Sequence, residues 1–387
     1  MSLASRFIDA LKQLDAGVAP LLARGAGASR EVPDHPRDAL VVRLWGLGNL
    51  ALLTPSLARF DGRLRVFTLE RHRAFLRTQL PHAELLTLPE PHDPRWLPRL
   101  VSHLRALRAD PPEVVVELET FLHAPLALLR RASRAPCVGL DTPGQRRSAL
   151  LDRGVRFDAT EHVALRFARV LAAAGLPTSA TPGPLHVPRT ARRRLDALLG
   201  GRGAERIVLH PGSGDHFPGR RWPPERFAEL ARALAAQGHQ VLLTGTRGEA
   251  ALLRRVERLS GGAARSLAGA LQIDTLLALL DDAALLVSND TGPLHLADAL
   301  HTACVALYGP NTPHRYGPRG AHTRALFADL PCSPCLDDRG RKRSSCAHFA
   351  CMQALPVSAV LHACHALLRA PATNPTSTPD TELHELA

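Results

Sequence analysis

Short apolar runs alternate with stretches whose apolar residues recur every three or four positions, and this rhythm runs through both halves of the chain. In the first half Leu40–Leu44, Leu64–Leu69, Val114–Leu118 and Cys137–Leu140 read as strands, with helices at Leu97–Arg108 and Ala124–Ser133. In the second half Ile207–His210, Gln240–Thr244, Ala284–Ser288 and Cys304–Tyr308 read as strands. Helical spacing there marks Pro224–Gln237, Glu249–Leu259, Ile273–Leu280 and Leu294–Leu300. Alternation of this kind predicts an α/β chain with parallel sheets covered on both faces. Residues 175–188 hold four prolines and no period, which predicts a linker, with a helix at Arg189–Leu199 entering the second domain. The expected division is therefore a lead-in at 1–37, domains at 38–185 and 186–370, and a tail at 371–387. In the lead-in Leu3, Phe7, Leu11, Leu14, Val18 and Leu21 recur at helical spacing, so an amphipathic helix docked on its own domain is expected there. The tail is polar and rich in Pro and Thr, a composition that predicts disorder.

Composition narrows the function. The 387 residues suit two domains, and a 45% hydrophobic content supplies a sizeable core. Aromatic residues are only 4%, too few for a base-stacking platform, and no nucleic-acid reader motif is visible, so nucleic acid is not an expected partner. No run of about 18 uncharged apolar residues marks a membrane span. Charges break every apolar run near the start, so no signal peptide is expected and the chain reads as cytoplasmic. Seven cysteines in that setting are read as thiols or metal ligands before disulfides. The net charge is +12, and Lys12 and Lys342 are the only lysines. Arginine suits bidentate phosphate binding, although genome composition produces the same bias.

Three strand exits carry candidate chemistry. In VSNDTGPLHLADAL an apolar strand runs through Asp290, Thr291, Gly292 and Pro293 into a helix, with His295 one turn further on. Free N–H groups and the helix dipole at such an N-terminus favour an anion such as a diphosphate; an ordinary N-cap is the competing account. In HPGSGDHFPGRRWPPERF, Gly212, Ser213 and Gly214 allow close approach to the backbone, and Arg220 and Arg221 follow. Two such exits in one half predict a nucleotide phosphate site. In LLTGTRGEAALL, Glu249 follows a strand and is placed to accept from ribose hydroxyls, or to serve as a first-turn helix carboxylate.

Four blocks, VVRLWGLGNLALLTPSL, HPGSG with RRWPPERFAEL, SNDTGPLHLADAL and VALYGPNTPHRYGP, together resemble glycosyltransferase family 9, the ADP-heptose:lipopolysaccharide heptosyltransferases. The resemblance implies a GT-B fold of two Rossmann-like domains facing a cleft, with the donor nucleotide in the second domain and the acceptor against the first. It implies inverting transfer from an ADP-sugar to lipopolysaccharide core or another envelope glycan, with no cofactor required for catalysis. Peripheral contact with the inner face of an anionic membrane would accompany a glycolipid acceptor. Carried onto this chain, the donor site comprises Ser213, Arg220, Arg221, Glu249, Asp290, Thr291, Gly292 and His295.

At the family's usual base position, normally Asp, this chain has Asn49, whose amide takes no proton near neutral pH. Glu119, at the end of the strand in EVVVELETFLHA, is the substitute candidate base; pairing with an arginine is its plainer role. A catalytically silent nucleotide-sugar-binding protein is the alternative that Asn49 raises. Cys332, Cys335, Cys346 and Cys351 have spacing compatible with tetrahedral sulfur ligation of structural Zn or Fe, or with reduced thiols. Similar sets occur in the autotransporter heptosyltransferases, which glycosylate protein, so a protein acceptor is a further alternative.

Overall fold

The computed structural model describes Asp15, residues 29–120, 122–179, 181–201, 203–214, 217–328, 330–336, 344 and 346–370, and the backbone of 384–385. Apart from Asp15, the proposed lead-in helix lies outside the described residues, as do 337–343 of the cysteine loop and most of the tail. The chain divides into two compact units, the first ending at residue 180 and the second beginning at Thr181.

Unit 1 is built from β1 (Asp38–Val42), α1 (Leu47–Leu57), β2 (Arg63–Leu69), α2 (Arg73–Gln79), β3 (Glu84–Leu88), α3 (Trp96–Ala109), β4 (Val114–Glu117), α4 (Ala124–Ser133), β5 (Cys137–Asp141), β6 (Arg153–Arg156) and α5 (Val163–Ala173). Its six strands are all parallel, in the order β3-β2-β1-β4-β5-β6. The inner strands DALVV and VVVE are almost wholly buried, because helices cover both faces of a parallel sheet and leave no polar side to alternate with. The strand order reverses between β1 and β4, with Val42 opposite Glu117. In open sheets of this kind ligands bind at the carboxyl ends of the strands beside the reversal.

Unit 2 repeats the plan: α6 (Arg189–Leu199), β7 (Arg206–His210), α7 (Pro224–Ala235), β8 (Gln240–Leu243), α8 (Ala250–Leu259), β9 (Ala264–Ser266), α9 (Ile273–Asp282), β10 (Leu285–Asn289), α10 (Gly292–Ala299), β11 (Cys304–Tyr308), α11 (Pro313–Tyr316), β12 (Thr323–Phe327), α12 (Ala350–Ala354) and α13 (Val357–Arg369). A two-residue strand, His384–Glu385, pairs with β12 at the sheet edge. The order β12-β11-β10-β7-β8-β9 is again parallel and reverses between β10 and β7. Leu209, Val287, Leu307 and Phe227 join one core cluster that α7, α8 and α13 close over. Both units are α/β with Rossmann strand order, the fold that the alternation predicted.

The pattern did not reveal α1. Its sequence, LGNLALLTPSL, is apolar on nearly every face and eight of its eleven residues are buried, so no amphipathic period exists to detect. It also missed β6, RGVR, in which Val155 alone is buried. The expected strand at Leu40–Leu44 ends at Val42, and Arg43 and Leu44 already belong to the exit loop.

Candidate donor site

The exits of β7 and β10 lie side by side at the reversal point of unit 2. Asn289, fully buried at the end of β10, joins them. Its Nδ2 donates to the carbonyls of Pro211 (2.9 Å) and Gly212 (3.2 Å), and its Oδ1 accepts from the Trp222 N–H at 3.0 Å. Trp222 is itself pinned by an indole N–H donation to the Leu355 carbonyl at 3.0 Å.

Arg220 makes the second link. Its guanidinium donates to the Asp290 carbonyl (2.7 Å) and the Ser213 carbonyl (2.9 Å), and lies 3.4 Å from Asp290 Oδ2. Its Nε is buried and makes no hydrogen bond among the described residues. An unmet donor on a guanidinium is costly in a closed site. Arg221 donates to Ser213 Oγ at 3.1 Å and to the Gly214 carbonyl at 3.0 Å. The pair therefore shapes the loop, and Arg220 is held between the two exits.

Thr291 occupies the N-cap position of α10, yet no side chain caps the helix. The Thr291 hydroxyl turns back to the Asn289 carbonyl at 3.2 Å and sits 3.1 Å from Ser288 Oγ. The first turn, Gly292 and Pro293, thus presents backbone dipole on which the Thr291 side chain does not act as acceptor. His295 is buried one turn on.

Glu249, 4% exposed, ties the β8 exit to the same net. Its Oε1 accepts from Gly214 N–H at 2.9 Å, and its Oε2 accepts from the Thr246 N–H (2.9 Å) and hydroxyl (3.0 Å), closing a capping box. Burial pushes this carboxyl up, but the donations from Thr246 and Gly214 and the nearby His210 prevail and hold it below its ordinary value. A Cβ on Gly212 would lie 2.2 Å from Glu249 Oε1, so glycine is required for the carboxylate to pack there.

Asn311, past the exit of β11, escaped the sequence reading. It is buried, its Nδ2 donates to Asp290 Oδ2 at 2.8 Å, and its Oδ1 makes no hydrogen bond among the described residues. The signal was the G-P-N turn in VALYGPN, which follows a strand as the other two exits do. The structure therefore gathers Ser213, Arg220, Arg221, Glu249 and Asp290 into one hydrogen-bonded net, with Thr291 and Gly292 adjoining, and adds Asn289 and Asn311. Glu119 and Asn49 belong to unit 1, at the exits of β4 and β1.

A family model, "Glycosyltransferase family 9 (heptosyltransferase)", matches residues 100–344. The chain belongs to glycosyltransferase family 9. It is 34% identical over 128 residues to lipopolysaccharide heptosyltransferase 2 of Escherichia coli K12, a match spanning 32% of this chain and 37% of that protein. The aligned sequence thus spans little over a third of the curated relative. The structure of E. coli ADP-heptose LPS heptosyltransferase II superposes with a TM-score of 0.67 at 22% identity, over 86% of this chain and 98% of that one. An iron-containing dodecameric glycosyltransferase from enterotoxigenic E. coli superposes with a TM-score of 0.52 at 15% identity, over 87% and 77%. At these identities the structural likeness establishes the two-domain fold shared with family 9.

Iron in that last neighbour directs attention to the four clustered cysteines. Cys351 is buried, which pushes its thiol up to about 11, and Cys335, Cys346 and Cys332 are near enough to add to the rise. Cys335 Sγ lies 3.0 Å from Ser344 Oγ, and Cys346 Sγ accepts from the Phe349 N–H at 3.2 Å. Among the described residues no group of three His, Cys, Asp or Glu side chains is placed to hold a metal ion; residues 337–343 and 345, between Cys335 and Cys346, lie outside those described. Cys137, Cys304 and Cys364 are buried and free. Among the described residues no helix is long and apolar enough to cross a membrane.

Proposed function

We propose that this chain transfers a heptose, with inversion, from an ADP-sugar to lipopolysaccharide core or another envelope glycan. The observation that carries the proposal is Arg220, bolted to both strand exits beside the N-terminus of α10, which its own N-cap side chain leaves uncapped. As the acceptor hydroxyl attacks the anomeric carbon, the bond to the diphosphate breaks and negative charge gathers on the leaving oxygen. The N-terminus of α10 and the Arg220 guanidinium would meet that charge, and Glu249 would lie beside the ribose. Donors already fixed by the fold need no reorganisation when the charge appears.

The acceptor is assigned to unit 1. A cavity of about 400 Å³ at the ends of β2 and β3 is lined by Arg71, Glu90, His92 and Arg95 among others. Arg71 pairs with Glu90 at 3.1 Å and lies over the Trp45 ring at 5.4 Å. Aromatic and guanidinium groups together suit a phosphorylated saccharide. The excess of arginine across the chain suits the same acceptor and peripheral contact with an anionic membrane face.

A second function is favoured by one observation: Asn49 stands where the family has its base. The chain would then bind the nucleotide sugar without turning it over. The deciding experiment is ADP release from ADP-heptose with and without lipopolysaccharide-core acceptor, alongside thermal shift with the same ligands. Transfer supports the enzyme. A thermal shift reflecting the stabilisation of about 2.7 kcal/mol expected at 100 times Kd, without turnover, assigns the silent binder, and absence of both sinks the donor-site proposal.

A further inference from the structure

At the reversal point of unit 1 the exits of β1 and β4 are stitched together by one buried ion pair. Glu119, 1% exposed, accepts at Oε1 from the backbone N–H groups of Leu44 (2.7 Å) and Trp45 (3.3 Å). Its Oε2 lies 3.2 Å from the Arg43 guanidinium. Arg43 in turn donates through Nε to the Trp45 carbonyl at 2.9 Å and through Nη1 to the Leu118 carbonyl, and its guanidinium lies 5.3 Å from the centre of the Phe167 ring. The clasp therefore holds the backbone of both exits. Directly beyond it Gly46 adopts φ +87° and opens α1, and Asn49 N–H donates back to the Gly46 carbonyl at 3.1 Å. The loop so held is the one that carries the family's base position.

A general base must come within about 2.6–3.2 Å of the hydroxyl whose proton it takes. Glu119 is closed to solvent and its two oxygens already face two amides and a guanidinium. We propose that Glu119 is a positioning residue: with Arg43 it fixes the Leu44–Asn49 loop as a preformed surface for the acceptor sugar, and it does not take the acceptor's proton. The kinetic part of this inference rests on the transferase function proposed above; the structural part does not.

Glu119→Gln keeps an oxygen for the two amides and loses the charge, whereas Glu119→Ala loses both. With Glu119→Gln, kcat is expected to stay within about tenfold of wild type with an unchanged pH–rate profile. Glu119→Ala is expected to raise the acceptor KM more than about tenfold while leaving ADP affinity unchanged. Hydrogen exchange at the Leu44 and Trp45 amides should be fast in Glu119→Ala and protected in Glu119→Gln. If Glu119→Ala does not fold, Glu119→Asp, one methylene short of the amides, takes its place. A fall in kcat of about 10²–10⁴ in Glu119→Gln, with one limb of the pH profile lost, makes Glu119 the base and overturns the proposal. Unaltered amide exchange in the Ala or Asp variant overturns it equally. If the wild type transfers no sugar, the transferase function fails, and the exchange measurement still decides the clasp.

Discussion

Replacing Arg220 with alanine is expected to weaken ADP binding by at least tenfold, and by roughly a hundredfold if both of its links matter to the nucleotide. Arg220 donates to the Asp290 and Ser213 carbonyls, one on each strand exit. Hydrogen bonds from a charged donor contribute about 1.5–3 kcal/mol each, and each 1.4 kcal/mol is tenfold in affinity. Loss of the side chain also leaves the Asp290 carboxylate to the Asn311 amide, beside the place proposed for the diphosphate. Arg220→Lys should recover only part of the affinity, because one ammonium cannot reach two carbonyls with the geometry of a planar fork. Arg221→Ala should cost less, since its bonds are to Ser213 Oγ and the Gly214 carbonyl at a more exposed point. Titration calorimetry with ADP reads all three. Wild-type affinity in Arg220→Ala would remove the residue from the donor site.

Arg147→Ala is expected to destabilise unit 1 by about 3–5 kcal/mol at pH 8, the cost of breaking a buried pair on one side. Arg147 and Glu117 are both fully buried and form an ion pair. Arg147 also donates to the carbonyls of Leu122 (2.7 Å) and Leu140 (3.2 Å). Burial already pushes the Glu117 carboxyl up to about 7 against the pull of Arg147, and the charge on Glu119 adds to the rise. Without Arg147 the largest opposition to burial is gone and the lesser pull of Arg43 remains. A carboxyl raised in the folded state adds stability below its unfolded value near 4.5 and loses it as pH rises through its folded value. The variant should therefore be closer to wild type at pH 5 than at pH 8. Urea unfolding at the two pH values measures this. A loss below 1 kcal/mol at pH 8, or equal losses at both, would contradict it. Replacing both partners with apolar residues of similar volume should recover much of the stability, because no unpaired charge is then left inside.

The apolar runs of β4, β7, β10 and β11 were legible because strands buried on both faces are continuous in sequence. The Asn289–Pro293 turn was legible because glycine and proline punctuate the strand-to-helix change at fixed positions. What escaped was chemistry that depends on two distant exits meeting. Asn289 was read as one letter of a turn; its function is to bond Pro211 and Gly212, some 78 residues away in the chain. Asn311 looked like any residue after a Gly-Pro pair. Glu119 was recognised as a carboxylate at a strand end, but its neighbours Leu44 and Trp45 lie 75 and 74 residues earlier. No period or spacing shows that those amides would meet the carboxylate.

The β7 and β10 exits of unit 2 are proposed to hold the donor diphosphate. Hydrogen exchange with and without saturating ADP tests it most directly. Slowed exchange is expected in peptides covering residues 211–222 and 289–296, with little change at residues 43–50. No protection in those two segments at an ADP concentration that saturates binding, or protection confined to unit 1, would contradict it.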